Sequence, residues 1–291
     1  YTNPVQLAMD GPHIISQGDG VFVHDDSGNR FYEGMSGLWC TSLGFSEAEL
    51  VNAAIAQFNK LPFYHSFAGK TVDPAIELAE ILIANAPPAG GGSHMSKVFF
   101  AASGSEANDT AMKMVWYYNA ALGRPEKRKI ISRKKGYHGV TMAAASMTAL
   151  PYAQDGFGLP LDFVKHTAAP DYYNEAQNGE SEEEFSNRCA AELEELILAE
   201  GPDTVAALFA EPVMGAGGVI VPPEGYWAAI QPVLKKYDIL FVADEVICGF
   251  GRLGEMWGSD VYGIEPDAII ASKCLTAGYY PMGAVILGEQ L

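Results

Sequence analysis

Charged side chains come directly after two short apolar runs of the sequence, where surface residues are not expected. Asp244 and Glu245 follow residues 239–243, and Lys273 follows residues 268–271 with one serine between them. A lysine at the end of a buried strand is rarely buried without a partner. It therefore either pairs with one of the two acids or is an amine of lowered pKa that forms a Schiff base with a carbonyl compound. We expect at least one of the acids to meet a buried cation.

Two glycine-containing segments indicate a site for an anion and a flat ring. Gly104 and Ser105 follow an apolar run and lead directly into a helical pattern. Backbone N–H groups at such a helix start bind phosphate, although an ordinary serine-capped helix has the same pattern. Tyr137 and His138 lie between two glycines, where an aromatic ring either stacks on a heteroaromatic ligand or occupies a buried tight turn.

Glu211 completes this set of residues. It ends the apolar run 205–210, and a buried carboxylate needs a pairing or hydrogen-bonding group, so it is either an ion-paired structural residue or part of the site. Together the segments describe an anion cradle, a stacking aromatic ring, a buried acid and a strand-end amine. Pyridoxal phosphate requires these four groups, for its phosphate, its ring, its pyridinium nitrogen and its aldehyde respectively.

The elements that position these residues alternate between apolar runs of strand length and helical patterns. Such alternation indicates an α/β fold with a mostly parallel sheet covered by helices on both faces. Ligands of such sheets bind beyond the carboxyl ends of the strands, which is where the residues above lie. The expected strands, all buried, are 98–101, 129–132, 205–210, 239–243, 268–271 and 284–287, with helices at about 106–122 and 224–237 among those between them.

The N-terminal part of the sequence has a different pattern. Residues 21–32 alternate around a Ser-Gly-Asn turn, which is typical of a β-hairpin. Ser46 and Glu49 have the spacing of a capping box, which predicts that a helix begins there.

The composition excludes several classes of protein. The chain has 291 residues, of which 48% are hydrophobic and 19% charged, so intrinsic disorder is excluded. Its formal net charge of −18 disfavours nucleic acid and anionic membranes as partners, and no run reaches the roughly 18 apolar residues of a membrane span. The four cysteines form no CxxC pair and the histidines form no zinc motif. We therefore expect a cytoplasmic protein with reduced thiols and no metal.

The chain resembles the class-III pyridoxal-phosphate aminotransferases, most specifically in the run 241–252 and its spacing to Lys273. The resemblance covers nearly the whole sequence, and two N-terminal segments are more narrowly similar to the pyruvate-dependent ω-transaminases. It implies the pyridoxal-phosphate transferase fold of type I, with a large domain whose sheet is sandwiched by helices. The matching segments are 38–40, 61–64, 103–108, 136–139 and 241–252.

The resemblance implies a role for each cofactor-binding residue. Lys273 would hold pyridoxal phosphate as a Schiff base and, once the donor amine displaces it, would move a proton as general base and acid. Asp244 would pair with the pyridinium nitrogen and keep it protonated. The other implied contacts are phosphate binding by Gly104 and Ser105, ring stacking by Tyr137 with His138 beside it, packing of Val246 on the opposite ring face, and Glu211 at the ring edge.

The resemblance also implies a substrate pocket and a domain arrangement. Trp39, Phe63 and Tyr64 would line the pocket, the last two across the interface of a homodimer. Residues 1–45 would be an N-terminal segment of a small domain, and 46–291 the large cofactor-binding domain. The rest of the small domain, with a phosphate-binding threonine and a carboxylate-binding arginine, would lie beyond the last residue. We expect the chain without it to be unstable or inactive.

The expected function is the transfer of an amino group from an ω-amine or amino acid to a keto acid by a ping-pong reaction. Pyruvate is the expected acceptor, with 2-oxoglutarate as the alternative. Two other functions stay open: another class-III enzyme, such as glutamate-1-semialdehyde aminomutase or a decarboxylase, and an inactive truncated domain that binds the cofactor. The aromatic segment 38–40 argues against the aminomutase.

Overall fold

The computed structural model describes residues 4–291, in which strands form two separate sheets. The strands are β1 (Ile15–Asp19), β2 (Phe22–Asp25), β3 (Arg30–Tyr32), β4 (Met95–Ala101), β5 (Lys129–Arg133), β6 (Val164–Thr167), β7 (Val205–Ala210), β8 (Leu240–Asp244), β9 (Ala268–Ala271) and β10 (Gly283–Gly288). The helices are α1 (Pro4–Asp10), α2 (Ser36–Trp39), α3 (Ala48–Lys60), α4 (Asp73–Ala84), α5 (Gly104–Ala121), α6 (Met142–Met147), α7 (Pro151–Gln154), α8 (Tyr172–Glu175), α9 (Glu182–Glu200), α10 (Tyr226–Lys236) and α11 (Gly258–Tyr262). Within residues 4–291, none of the helices has the length and apolar composition needed to span a bilayer.

The large sheet has seven strands in the order β4-β10-β9-β8-β7-β5-β6. Neighbouring strands from β9 through β6 run parallel, whereas β10 runs antiparallel to both β9 and β4. Strands β7 to β10 are buried along their whole length, because both faces of these continuous apolar runs are covered. The predicted α/β fold with a mostly parallel sheet is confirmed.

Helices on the two faces of this sheet form apolar cores, of which the two largest involve α5 on one face and α9 with α10 on the other. On one face α5 packs Met112 against a cluster that includes Val242 of β8. On the other face α9 and α10 cover β7 and β8, and the Trp227 ring stacks on Phe241 with centroids 5.4 Å apart. Each large apolar side chain buried in this way stabilises the fold by about 1.5–3 kcal/mol. These two layers hold the ends of the parallel strands in fixed positions.

Strand β4 differs from its prediction as a buried strand. It lies at the edge of the large sheet, where it pairs with β10. Its side chains alternate between the core and solvent, and Phe99 is 45% exposed. The apolar run predicts burial on both faces, but an edge strand with one covered face can have the same composition.

Strands β1, β2 and β3 form a small antiparallel sheet of their own. The predicted hairpin of β2 and β3 is confirmed. Its turn is held by the buried Asp25, whose carboxylate accepts hydrogen bonds from Ser27 N at 3.0 Å and from Asn29 N at 2.8 Å. The division of the chain into 1–45 and 46–291 stays a prediction.

The predicted capping box at Ser46 is wrong. Helix α3 begins one residue later than such a box requires, and its capping residue is Glu47, whose side chain accepts from Glu49 N. Ser46 has a φ of 66° and donates its hydroxyl to Gly18 O at 2.7 Å. This serine connects the small sheet to α3 because its side chain is directed towards β1 and away from the helix.

Candidate active site

The carboxyl ends of β5, β7, β8 and β9 lie at one edge of the large sheet, beside a cavity of about 120 Å³. All eight residues predicted to bind the cofactor line this cavity, although they come from distant parts of the chain. They are Gly104, Ser105, Tyr137, His138, Glu211, Asp244, Val246 and Lys273. Asn108, Gly139, Ile247 and Ser272 complete the wall.

Asp244, the last residue of β8, is buried in the cavity wall and surrounded by donors. Its Oδ2 accepts hydrogen bonds from His138 Nδ1 at 2.8 Å and from Asn108 Nδ2 at 3.0 Å. Its Oδ1 accepts one from Val246 N at 3.1 Å. Because an ionised carboxylate only accepts hydrogen bonds, the proton of the short contact lies on His138 Nδ1. The buried partner expected for this acid is thus a histidine, and the donors stabilise a negative charge at the cavity.

Asn108 lines the cavity but is not among the predicted site residues. It lies one turn into α5 and reaches Asp244 across a sequence separation of 136 residues. The signal available in the sequence was its place in the 103–108 segment, directly after the glycine-containing turn. A separation of this length leaves no local pattern from which the contact follows.

Glu211 directly follows β7 and is buried, and each of its carboxylate oxygens accepts a hydrogen bond from a backbone N–H. Oε1 accepts from Tyr137 N at 3.1 Å, and Oε2 accepts from Gly215 N at 2.9 Å. Burial raises the pKa of Glu211, and the nearby charge of His138 acts against that rise. The buried Arg133 donates to the backbone oxygen of Glu211 and not to its carboxylate. Glu211 therefore fixes the loop that carries Tyr137 beside the cavity.

Glu245 turns away from the cavity and is bound by the start of α11. Its carboxylate accepts from Ser259 N and Ser259 Oγ at 2.6 Å each, and from Gly258 N at 3.0 Å. Burial raises its pKa to about 7, against the effect of these hydrogen bonds. The two adjacent acids thus have separate environments, one at the cavity and one beneath α11.

Lys273 follows β9 and lines the cavity in a strained backbone conformation, with φ at 46°. It begins a short 3₁₀ helix, Lys273–Thr276, and the preceding Ser272 donates its hydroxyl to Met282 O at 2.7 Å. Among the ion pairs within residues 4–291, none joins Lys273 to Asp244 or Glu245. The geometry therefore does not support the alternative in which this lysine is half of a structural ion pair.

The N-terminus of α5 and the loop after β5 approach each other closely. Ser103 caps the 18-residue helix by accepting from Glu106 N at 3.2 Å. Gly139 has a φ of 131°, and a Cβ on it would lie 2.4 Å from Ser105 Oγ. Ser105 Oγ in turn accepts from Val140 N at 3.1 Å. Only glycine allows this approach, which leaves the helix N-terminus open on the cavity side.

The predicted substrate-pocket residues do not line this cavity. The Trp39 ring lies over the loop after Glu211, where a Cβ on Gly215 would be 3.5 Å from its Cζ3. Phe63 and Tyr64 are 77% and 48% exposed on the surface of the chain. Within one copy of residues 4–291 the three aromatic side chains are therefore not brought together.

Comparison with known proteins matches the chain to one enzyme family. The profile of the family Aminotransferase class-III matches residues 7–291. The chain is 53% identical over 280 residues to the mitochondrial gamma aminobutyrate transaminase 1 of Solanum lycopersicum, covering 96% of this chain and 54% of that protein. It is also 53% identical to vanillin aminotransferase of Capsicum annuum, covering 96% of this chain and 60% of that protein.

Solved structures give the same result. The omega transaminase from Pseudomonas jessenii, solved in complex with PMP, superposes with a TM-score of 0.97 at 56% identity, covering 100% of this chain and 63% of that one. A thermostable variant of an omega transaminase, engineered for the synthesis of bulky amines, also superposes with a TM-score of 0.97. The chain spans between about half and two thirds of the length of these relatives.

Proposed function

This chain belongs to the class-III aminotransferase family, and we propose that the complete protein transfers an amino group from an amine or amino acid to a keto acid. Class-III aminotransferases use pyridoxal phosphate as their cofactor. One observation carries the proposal: a strand-end lysine, a buried carboxylate with three donors and an open helix N-terminus line a single cavity.

The residues around the cavity fit this cofactor. A phosphate group needs free N–H donors, which the N-terminus of α5 offers where Gly139 approaches Ser105 in its first turn. A protonated ring nitrogen needs a fixed anion, which Asp244 offers. An aldehyde needs an amine, and Lys273 lines the same cavity without an ion-pair partner in Asp244 or Glu245. The cavity therefore offers a suitable group for each end of the cofactor.

When bound, pyridoxal phosphate supplies an aldehyde that condenses with amines and a ring that withdraws electrons from the substrate carbon. Asp244 would hold the proton on the ring nitrogen, and the hydrogen bonds that it accepts from His138 and Asn108 keep its carboxylate in place. Lys273 would hold the cofactor through its amine and, once free, would accept a proton at Nζ and return it. Val246 and Tyr137 line the same cavity and would pack on the two faces of the cofactor ring, as the family resemblance implies.

We infer an ω-amine donor and pyruvate as the acceptor. The named relatives include a gamma aminobutyrate transaminase and omega transaminases, and gamma-aminobutyrate is itself an ω-amino acid. The segments at 38–40 and 61–64 support pyruvate, because they resemble the pyruvate-dependent ω-transaminases. Trp39, Phe63 and Tyr64 are the proposed walls of the substrate pocket.

An amine-donor panel tests the function. The complete protein with pyridoxal phosphate is supplied with gamma-aminobutyrate, other ω-amines and arylalkylamines, each with pyruvate and with 2-oxoglutarate, and the new amino acid is measured. Alanine formed from an ω-amine supports the proposal. Amino transfer to 2-oxoglutarate alone would replace pyruvate as the acceptor, and isomerised or decarboxylated substrate without transfer would indicate the alternative enzyme classes.

We further propose a homodimer, supported by an exposed apolar face on α3. Not one residue of this 13-residue helix is buried, and Val51, Ile55 and Phe58 are each 41–53% exposed. They line a groove of about 630 Å³ with the segment that follows Lys273. Analytical ultracentrifugation of the complete protein should give a dimer that Ile55→Asp converts to a monomer. A monomeric wild-type protein would contradict the proposal.

A cytoplasmic location remains a prediction. It is supported by the four cysteines, which are all free thiols. One of the named relatives is a mitochondrial protein, so fractionation of the native cells is the direct test.

A further inference from the structure

We propose that Asn108 is a positioning residue, which holds the Asp244 carboxylate in place and supports its charge by donating a neutral hydrogen bond. The inference rests on the proposed function, because the carboxylate is the group assigned to the cofactor's ring nitrogen. It adds a residue to the site for which neither the sequence motifs nor the relatives' names give a role.

The contacts of Asn108 define which end of its amide faces Asp244. Nδ2 lies within hydrogen-bond distance of three oxygens: Gly104 O at 3.2 Å, His138 O at 2.9 Å and Asp244 Oδ2 at 3.0 Å. All three only accept, so the amide nitrogen must face them. Oδ1 is buried and has no hydrogen-bond partner among residues 4–291. The amide oxygen of Asn108 is therefore buried without a partner, while its amide nitrogen donates hydrogen bonds.

Asn119 shows that the helix itself does not require these contacts. It lies on the same helix, is equally buried at 1% exposure, and its Nδ2 donates to Val115 O, four residues earlier, at 3.0 Å. Its Oδ1 also has no partner among the described residues. Asn108 makes the same bond to Gly104 O, but it alone of the two reaches Asp244. The additional contact is thus specific to the cavity.

The donors divide unevenly between the two oxygens of Asp244. Oδ2 accepts from both His138 and Asn108, whereas Oδ1 accepts only from Val246 N. An oxygen with two donors is fully used, and an oxygen with one donor can accept a second hydrogen bond. Asn108 therefore fixes the rotation of the carboxylate and leaves Oδ1 as the oxygen with remaining capacity.

The surroundings of Asp244 explain why a neutral donor is needed here. Adding another negative group beside it would oppose its ionisation, because like charges a few ångströms apart cannot both form in a buried site. Several titratable groups already surround this carboxylate. His138 hydrogen-bonds to it, Glu211, Glu245 and Cys248 interact with it electrostatically, and Lys273 lines the same cavity.

Two variants of Asn108 separate positioning from mere packing. Asn108→Leu has a similar volume and no donor, so we expect its dissociation constant for pyridoxal phosphate to rise about 10- to 100-fold at every pH, the range for loss of one hydrogen bond to a charged group. In Asn108→Asp, the new carboxyl group and Asp244 share one proton at low pH, so the new group can still donate a hydrogen bond to Asp244. Its affinity relative to wild type should fall by at least about tenfold between pH 6 and pH 9, as that proton leaves.

The experiment measures cofactor binding and not turnover. Equilibrium titration of pyridoxal phosphate into the complete apoprotein is followed by fluorescence and absorbance from pH 6 to pH 9, with melting temperatures of each apoprotein. Asn119→Leu and Asn119→Asp are the matched controls, and they should bind the cofactor as wild type does. Should Asn108→Leu fail to fold, the pH pattern of Asn108→Asp decides.

Three results overturn the inference. Wild-type affinity in Asn108→Leu would do so, as would a pH-independent ratio for Asn108→Asp, or equal losses in the Asn119 variants. In each of these cases the wild-type protein still binds the cofactor, so the proposed function survives. A wild-type protein that binds no pyridoxal phosphate would instead overturn the proposed function, and this inference with it.

Discussion

Replacement of Glu245 by glutamine should change how the stability of the protein depends on pH. Glu245 is completely buried beneath α11, and burial raises its pKa from an ordinary 4.5 to about 7. Hydrogen bonds from Ser259 and Gly258 favour the ionised form, but burial is the largest effect. The folded protein therefore holds a proton on Glu245 over a pH range in which the unfolded chain has lost it.

The sign of the effect follows from this difference in proton binding. Below pH 4.5 the carboxyl is protonated in both states, and its contribution to stability is fully present. Between about pH 4.5 and 7 the unfolded state releases the proton first, so the free energy of unfolding falls as the pH rises. At about 1.4 kcal/mol per pH unit, the interval from 4.5 to about 7 corresponds to a loss of roughly 3 kcal/mol.

Urea unfolding of wild type and Glu245→Gln at pH 4.5, 5.5, 6.5 and 7.5 measures this loss. Glutamine does not titrate, and its amide group would face a backbone N–H, so the variant should be less stable at pH 4.5 by about 1–3 kcal/mol. Its disadvantage should then shrink by roughly 3 kcal/mol towards pH 7.5. A constant difference between the two proteins across this range would refute the reasoning, because it would mean that Glu245 ionises at its ordinary pKa.

Two further substitutions test the cavity. Lys273→Ala should abolish the long-wavelength absorbance of bound pyridoxal phosphate, because the amine that binds the aldehyde is gone. Replacement of the exposed Lys235 by alanine is the control. Retention of the absorbance band in Lys273→Ala would contradict the role assigned to Lys273. Gly139→Ala should lower the free energy of unfolding by about 1–3 kcal/mol and weaken cofactor binding, because its Cβ would lie 2.4 Å from Ser105 Oγ. Unchanged melting temperature and cofactor affinity in this variant would show that the two segments are not in contact.

The sequence was sufficient for six of the seven strands of the large sheet, with β6 (Val164–Thr167) missed, and for the positions of the site residues along the chain. Continuous apolar runs such as 205–210 and 239–243 predict strands that are buried on both faces, and the structure shows this burial. In parallel strands the carboxyl ends lie together, so polar residues directly after such runs meet in space. This rule predicts that Glu211, Asp244 and Lys273 lie at one edge of the sheet, where all three line the cavity.

Features that depend on non-local contacts were not predictable in the same way. The edge position of β4 and the reversed direction of β10 follow from the order of strands in the sheet, which no single run encodes. Ser46 matched a capping pattern, but its hydroxyl is bound by Gly18 O on another sheet. The contact of Asn108 with Asp244 joins helix α5 to the end of β8, and a separation of 136 residues leaves no periodic signal for it. Local spacing predicts local hydrogen bonds, and these contacts are not local.

The backbone at Lys273 bears on the choice between a structural and a reactive lysine. Its φ of 46° lies in the left-handed region, which costs a non-glycine residue about 1–2 kcal/mol. An ion-paired lysine can also adopt this conformation: Lys135 has a φ of 63° and pairs with Asp171 and Glu175, so the backbone alone does not distinguish the two roles. Lys273, by contrast, lines the cavity directly after a buried strand and forms no ion pair with Asp244 or Glu245. Strain of this kind persists where the surrounding structure fixes it and concentrates at functional sites, which favours the amine as the reactive group.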